Sequence, residues 1–198
     1  MTQGINVPIG PAIVEYGTGD DKVVFDITKG GIVFSATMTK QDTTVDQYGD
    51  TPVKSIGKGT AAQAVVPFAI HDLKRLAAVF PGSKLVTKTD GEIEKRKLNV
   101  YSGAGYDMLK NAKPLVIKPT DPDSTEEDWI TIPLAGAIAD PNYTYDSDNE
   151  RVTNITFPAF PDLSKNGLLY VMGEDFVEDE AAGQSTGTQS LEDEEKIS

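Results

Sequence analysis

Ile32-Val33-Phe34-Ser35-Ala36-Thr37-Met38-Thr39, then Lys40-Gln41-Asp42-Thr43-Thr44, then Val45-Asp46-Gln47-Tyr48-Gly49-Asp50-Thr51-Pro52-Val53 is the stretch whose reading decides the fold. The first eight residues are rich in β-branched side chains and read as a strand. Residues 61–68 read as another. Between them Gly49 and Pro52 break a ladder and let the chain reverse. The connection, residues 40–58, is longer than a tight hairpin needs, and its tip offers an aromatic and charges but little apolar surface to bury at home. Such a projecting arm is an interaction device or a mobile loop. Beyond Ala36 the first strand is polar on both faces, through Thr37, Thr39, Lys40, Gln41, Asp42, Thr43 and Thr44. A strand without a core side has a weakly specified register in an isolated chain. It makes sense where neighbouring strands come from another subunit; the plain alternative is an exposed hairpin.

Working outward, residues 12–16 and 22–28 read as short strands around the turn Gly17-Thr18-Gly19-Asp20-Asp21, and Lys29-Gly30-Gly31 turns again. Residues 70–80 predict the one helix, with Leu73, Leu76, Ala77 and Phe80 at i, i+3, i+4 and i+7 and Pro81-Gly82 as its stop. Residues 84–97 alternate in charge around Asp90-Gly91, predicting a polar hairpin or loop, and residues 98–102 a strand. Further strands are expected at 115–117, at 129–137 (its Pro133 favouring an edge or a bulge), at 152–158 and at 168–173. Residues 121–128 read as an acidic loop and 140–148 as turns. Many short strands with one helix indicate a mainly β chain. The expected fold is an antiparallel β-sandwich or barrel with one short amphipathic α-helix and a long projecting β-hairpin arm.

The chain has 198 residues, enough for one domain with a proper core. Three regions are expected: an N-terminal arm at 1–11, a β-sandwich domain at 12–173 and an acidic tail at 174–198. Of the net charge of −13, the tail carries −8, from nine acids against Lys196. Its Gly/Ser/Thr/Gln-rich, aromatic-poor composition predicts disorder. The body is acidic too, and an acidic body does not grip DNA, because phosphate affinity needs clustered Lys and Arg. A wall that repels phosphate still suits a conduit. The absence of Cys excludes disulfides and thiolate metal sites and fits a reducing compartment. No window approaches the ~20 apolar residues of a membrane span, and the first residues lack the pattern of a secretory signal.

Sites for chemistry fail one by one. His71 is the only histidine, and no nucleophile motif frames it. Asp146-Ser147-Asp148-Asn149-Glu150 begins like a calcium loop but has Arg151 and Phe157 where the loop needs Gly and Glu. Gly57-Lys58-Gly59-Thr60 has its Lys before the second Gly and a strand after it, so it is no phosphate loop. Gly103-Ala104-Gly105 lacks a third Gly, position 108 being Met. No catalytic residue, cofactor site or metal site is assigned, and an enzyme is the least favoured class.

Gly30-Gly31-Ile32 opening a strand, the run from Val45 to Val53, and Val65-Val66-Pro67-Phe68 before a short helix together resemble the major tail tube proteins of tailed bacteriophages. The resemblance spans about residues 10–174, and its sharpest piece is Asp46-Gln47-Tyr48-Gly49-Asp50-Thr51-Pro52-Val53. It implies a structural virion protein, made in the host cytoplasm, that forms stacked hexameric rings as a hollow conduit for DNA ejection. The implied partners are further copies of itself, a tail tip or baseplate initiator, a tape measure protein, a tail terminator and, in a contractile tail, a sheath. Viral DNA passes through without specific binding, and no membrane is involved. Carried over by match, Asp46, Gln47, Tyr48, Gly49, Asp50, Thr51 and Pro52 form the inter-subunit or inter-ring arm. Asp42 and Asp46 are candidate lumen-facing carboxylates. Rival readings are a type VI secretion-like or other phage-derived injection tube subunit, a head decoration or tail-completion ring protein, and a carbohydrate-binding β-sandwich. The last would need aromatics gathered on one face, whereas Trp129, Tyr143, Tyr145 and Tyr170 are scattered along the sequence.

Overall fold

A computed structural model describes residues 10–90, 93–148 and 150–174. Most of the N-terminal arm (1–9) and of the acidic tail (175–198) expected from the sequence lies outside the described residues. The described chain is mainly β, with antiparallel pairing throughout. In order come β1 (Ala12–Tyr16), β2 (Val23–Phe25), β3 (Val33–Thr43), β4 (Lys54–Phe68), α1 (Leu73–Ala77), β5 (Ser83–Asp90) and β6 (Ile93–Val100). They are followed by β7 (Lys113–Pro119), β8 (Ile130–Ala135), β9 (Ile138–Asn142), β10 (Val152–Pro158) and β11 (Val171–Met172). One sheet has the order β11-β8-β7-β1-β2 and a second β3-β4-β10-β9, while β5 and β6 form a separate hairpin. This is a sandwich of two open sheets, and among the described residues no closed barrel forms.

Alternation along each strand explains the layers. Val14, Tyr16, Phe25, Leu115, Ile117 and Ile132 point inward from the five-stranded sheet, and Ala64, Val66, Phe68, Ile155 and Phe157 point inward from the four-stranded one. Phe25 meets Phe68 edge to face at 5.0 Å between ring centroids, and Tyr16 lies 5.0 Å from Phe157. The Tyr16 hydroxyl donates to the Ala135 carbonyl at 3.3 Å, and burial pushes its pKa up to about 12. Thr153, the polar residue in this layer, shares a 2.6 Å hydrogen bond with the Tyr143 hydroxyl. No buried side-chain polar atom among the described residues lacks a partner, as a stable core requires.

Several elements depart from expectation. The helix is confined to Leu73–Ala77, because Asp72 is extended (φ −108°, ψ 109°) and caps it by accepting the Lys74 N–H at 2.9 Å. Residues 70–72 therefore lie before the helix. Leu76 is its buried residue, and Val79, just past its end, is buried as well. Residues 84–97 do form a hairpin, which extends into the strand expected at 98–102. The turn expected at 140–148 begins as β9, an edge strand, where Pro141 lacks no needed donor. Pro133 lies in β8 opposite the irregularity between Lys113 and Leu115, so the expected bulge is present. The last strand shrinks to Val171–Met172.

Candidate assembly surface

The hairpin of β3 and β4 outruns the sandwich. Its register runs from Val33↔Val65 through Ala36↔Ala62 to Thr39↔Gly59, shifts there, and resumes from Lys40↔Gly57 to Thr43↔Lys54. The extra residue is Lys58, and Gly59 takes φ +136°, a backbone angle that side chains disfavour. The sequence predicted a return strand at 61–68, but the ladder continues to Lys54, so the arm is a paired ribbon. Core support stops early. Ala62 is the last buried residue of β4 toward the tip, and β3 is exposed from Ser35 to Thr43.

The apex is a compact turn. Asp46–Tyr48 form a 3₁₀ turn, with the Tyr48 N–H donating to Val45 O at 3.0 Å and the Gly49 N–H to Asp46 O at 3.4 Å. Gly49 adopts φ 60° and ψ −132°, a region nearly closed to residues with a Cβ. The Thr51 N–H then donates to Tyr48 O at 3.3 Å, and the Val53 N–H closes the loop onto Thr43 O at 2.9 Å. Asp46, Gln47, Tyr48, Gly49, Asp50, Thr51 and Pro52 are all exposed, and the structure gathers them at one tip. Tyr48 is 68% exposed, and the ribbon also presents Met38, Val53 and Ile56 to solvent.

Alternation sorts the ribbon's faces. Along β3, Asp42 shares parity with Phe34, Ala36 and Met38, the side that lower down faces the core. Its carboxylate accepts from Ser55 Oγ at 2.5 Å across the ladder and pairs with Lys40 Nζ at 3.0 Å. The Ser55 hydroxyl first, and the Lys40 ammonium second, hold its pKa below the ordinary carboxylate value. Met38 lies over Gly57 on this same side, where the missing Cβ makes room for it. The opposite, outer face of the four-stranded sheet is different. By alternation it displays Ser35 and Thr37, Ala61 and Gln63, Asn154 and Thr156, together with Val33 and Ile138; its charged positions are Asp140 and, out toward the ribbon's tip opposite Thr43, Lys54. Of the two candidate lumen-facing carboxylates, Asp42 lies on the core-side face of the ribbon and Asp46 in the apex turn.

Two surface features escaped sequence reading because their parts are far apart in the chain. Tyr143 stands edge to face with both His71 (6.2 Å) and Tyr145 (6.5 Å), and Arg151 lies over the Tyr145 ring at 5.2 Å. A cleft of about 530 Å³ lies beside the ribbon's base, lined by Thr60, Ala61, Pro161, Leu169 and Tyr170. Other sequence candidates are occupied locally. Asp146 Oδ1 accepts the Asp148 N–H at 3.0 Å within its own loop, and Gly57, Lys58 and Gly59 lie inside β4. Among the described residues no three His, Asp or Glu side chains are placed to hold a metal ion, and no helix is long and apolar enough to cross a membrane.

No protein-family model matches this chain, and no curated protein matches it either.

Proposed function

We propose that this chain is a structural subunit that polymerises into a hollow tube, the major tail tube protein of a tailed phage, with stacked hexameric rings forming a conduit for DNA. The single observation that carries the reading is the paired ribbon beyond the core. From Thr37↔Ala61 to the apex, every residue of both strands is exposed, including Met38, Ile56 and Tyr48. Isolated exposed apolar side chains are ordinary. A preformed ribbon carrying several of them, with no home surface to cover, is the form of an interaction arm.

The sheet beside it supports the same reading. Among the described residues its two edges, β3 and β9, are unpaired, and β3 offers eleven residues of edge. Natural proteins blunt edges of that length unless they pair. Joining β3 of one copy to β9 of the next is a head-to-tail contact, and such contacts close into rings or run on as filaments. Over the sandwich the outer face of that sheet carries uncharged polar and apolar side chains with the Asp140 carboxylate, and Lys54 stands apart toward the ribbon's tip, so a lumen lined by that part has no cluster of cations to hold phosphate. In this arrangement Asp42, on the other face with Ser55 and Lys40, belongs to the subunit contact, and Asp46 acts at the arm's tip. Virion location, the hexameric symmetry, the tail-tip, tape-measure and terminator partners, and the absence of catalysis all belong to this proposal.

Negative-stain electron microscopy of the concentrated protein tests it, with Tyr48→Ala alongside and with tail-tip complexes added as nuclei. Hollow tubes of uniform width, weakened in the variant, are expected. Particles that stay monomeric even with nuclei present would refute the reading.

A further inference from the structure

The tube reading leaves open which surface receives the arm, and the inference here rests on that reading. We infer that the tip of one copy seats Tyr48 in the cleft at the ribbon base of another copy, between Thr60–Ala61 and the 159–170 segment. The cleft exists because β10 ends before β4 does. Gln63↔Pro158 is the last pair of that ladder, and the Ala159 N–H adds one more bond to Ala62 O at 2.9 Å. The chain then turns away. Even-numbered residues of β4 aim their backbone groups toward β10, so Thr60 aims its N–H and C=O into the gap. Among the described residues neither group has a backbone partner. An unpaired donor and acceptor on a strand edge, walled by Pro161, Leu169 and Tyr170, suits an incoming segment with an aromatic side chain.

Charge and reach select the occupant. The tip, residues 44–53, carries Asp46 and Asp50 and no base. The cleft is flanked in the chain by Lys58 and by Lys165, which sits in the turn Leu163–Lys165. The neighbouring Asp162 carboxylate is engaged in its own turn, accepting from Ser164 N at 3.0 Å and Ser164 Oγ at 2.6 Å. An acidic, aromatic tip therefore meets a cleft of mixed polar and apolar lining with lysines on either side of it in the chain. A copy cannot fill its own cleft. The ladder from Thr60 to Lys54 holds the tip roughly 20 Å away, at about 3.3 Å per residue. Each subunit thus offers one tip and one cleft, a head-to-tail pairing whose repeat is set by the ribbon's length.

The test uses the full chain with Tyr48→p-benzoylphenylalanine, mixed with an equal amount of isotopically labelled full chain. After irradiation, mass spectrometry maps crosslinks that join labelled to unlabelled protein. The expected products join position 48 to peptides containing Thr60–Ala61 or residues 159–170 of the other copy. Ala61→Trp on the labelled partner fills the cleft and is expected to lower that product about tenfold, the loss expected of a centrally seated aromatic. Its circular dichroism and unfolding midpoint should match the parent, since Ala61 is exposed. Intermolecular crosslinks that map elsewhere, within intact tubes, overturn this inference and leave the tube reading standing. Absence of both tubes and intermolecular crosslinks overturns both.

Discussion

Replacing Gly49 with valine separates the cost of folding from the cost of assembly. At φ 60° and ψ −132° the backbone is in a region that a β-branched residue reaches only under strain of order 1–3 kcal/mol. A Cβ there meets no atom within 4 Å beyond its chain neighbours, so the penalty comes from the local backbone conformation and not from a clash with another part of the fold. In the isolated subunit the apex can relax. It would give up turn bonds such as Gly49 N–H to Asp46 O at 3.4 Å, which are exposed and individually weak. No core residue follows, because Ala62 is the last buried position toward the tip. The monomer then loses about 1 kcal/mol at most, a shift of roughly 2–4 °C for a chain of this size. A docked tip cannot relax without losing its contact. The strain not already borne by the relaxed monomer, about 1–2 kcal/mol, then falls on association, raising the critical concentration for polymer about 5- to 30-fold. Pelleting or light scattering across a concentration series reads this directly. Gly103→Val is the control, being equally open but without a positive φ. A Gly49→Val critical concentration within twofold of the parent's would refute the reasoning, as would a fall in unfolding midpoint as large as a core mutant's.

Phe25→Ala sets that core scale: a fully buried ring facing Phe68 and Phe157 is lost, and denaturant unfolding should show a loss of about 3–5 kcal/mol. Asp42 should titrate below the usual ~3.9 in a carbon-detected NMR experiment, and Ser55→Ala should raise its midpoint. Its folded-state pKa is depressed, so its contribution is present above the unfolded value and is lost as pH falls through the folded one. A midpoint unmoved by Ser55→Ala would show that the cross-strand bond does not form in solution. Two glycines should respond oppositely to alanine. Gly57→Ala displaces only the flexible end of Met38 and relieves a strand glycine, so stability should hold or rise by up to about 1 kcal/mol. Gly17→Ala combines φ +90° with a 2.9 Å approach to the Asp21 carbonyl, so a loss of about 1–3 kcal/mol is expected in the same unfolding assay.

The sequence by itself determined the class of fold and the existence of the arm. Period-2 alternation in residues 152–158 is a local signal, and that strand, like the short one read at 12–16, lies where the sequence placed it. The polar run after Ala36, with Gly49 and Pro52 beyond it, already marked a strand pair without a core side. Local signals misled where neighbours outweighed them. β9 reads as a turn from Asp140-Pro141-Asn142, yet as an edge strand it needs no donor on its open side. The helix reads as eleven residues from its apolar stripe, yet Asp72 folds back as a cap and shortens it. Only the tertiary structure decided which face each arm residue takes. Parity along β3 assigns Asp42 to the core-side face, while the outer face mixes uncharged polar and apolar residues with Asp140 and, toward the tip, Lys54. It alone created the cleft at Thr60, whose walls come from segments about a hundred residues apart in sequence. The physical reason is that periodicity records which side of a strand is wet, whereas a cleft or an open edge depends on where a distant strand stops.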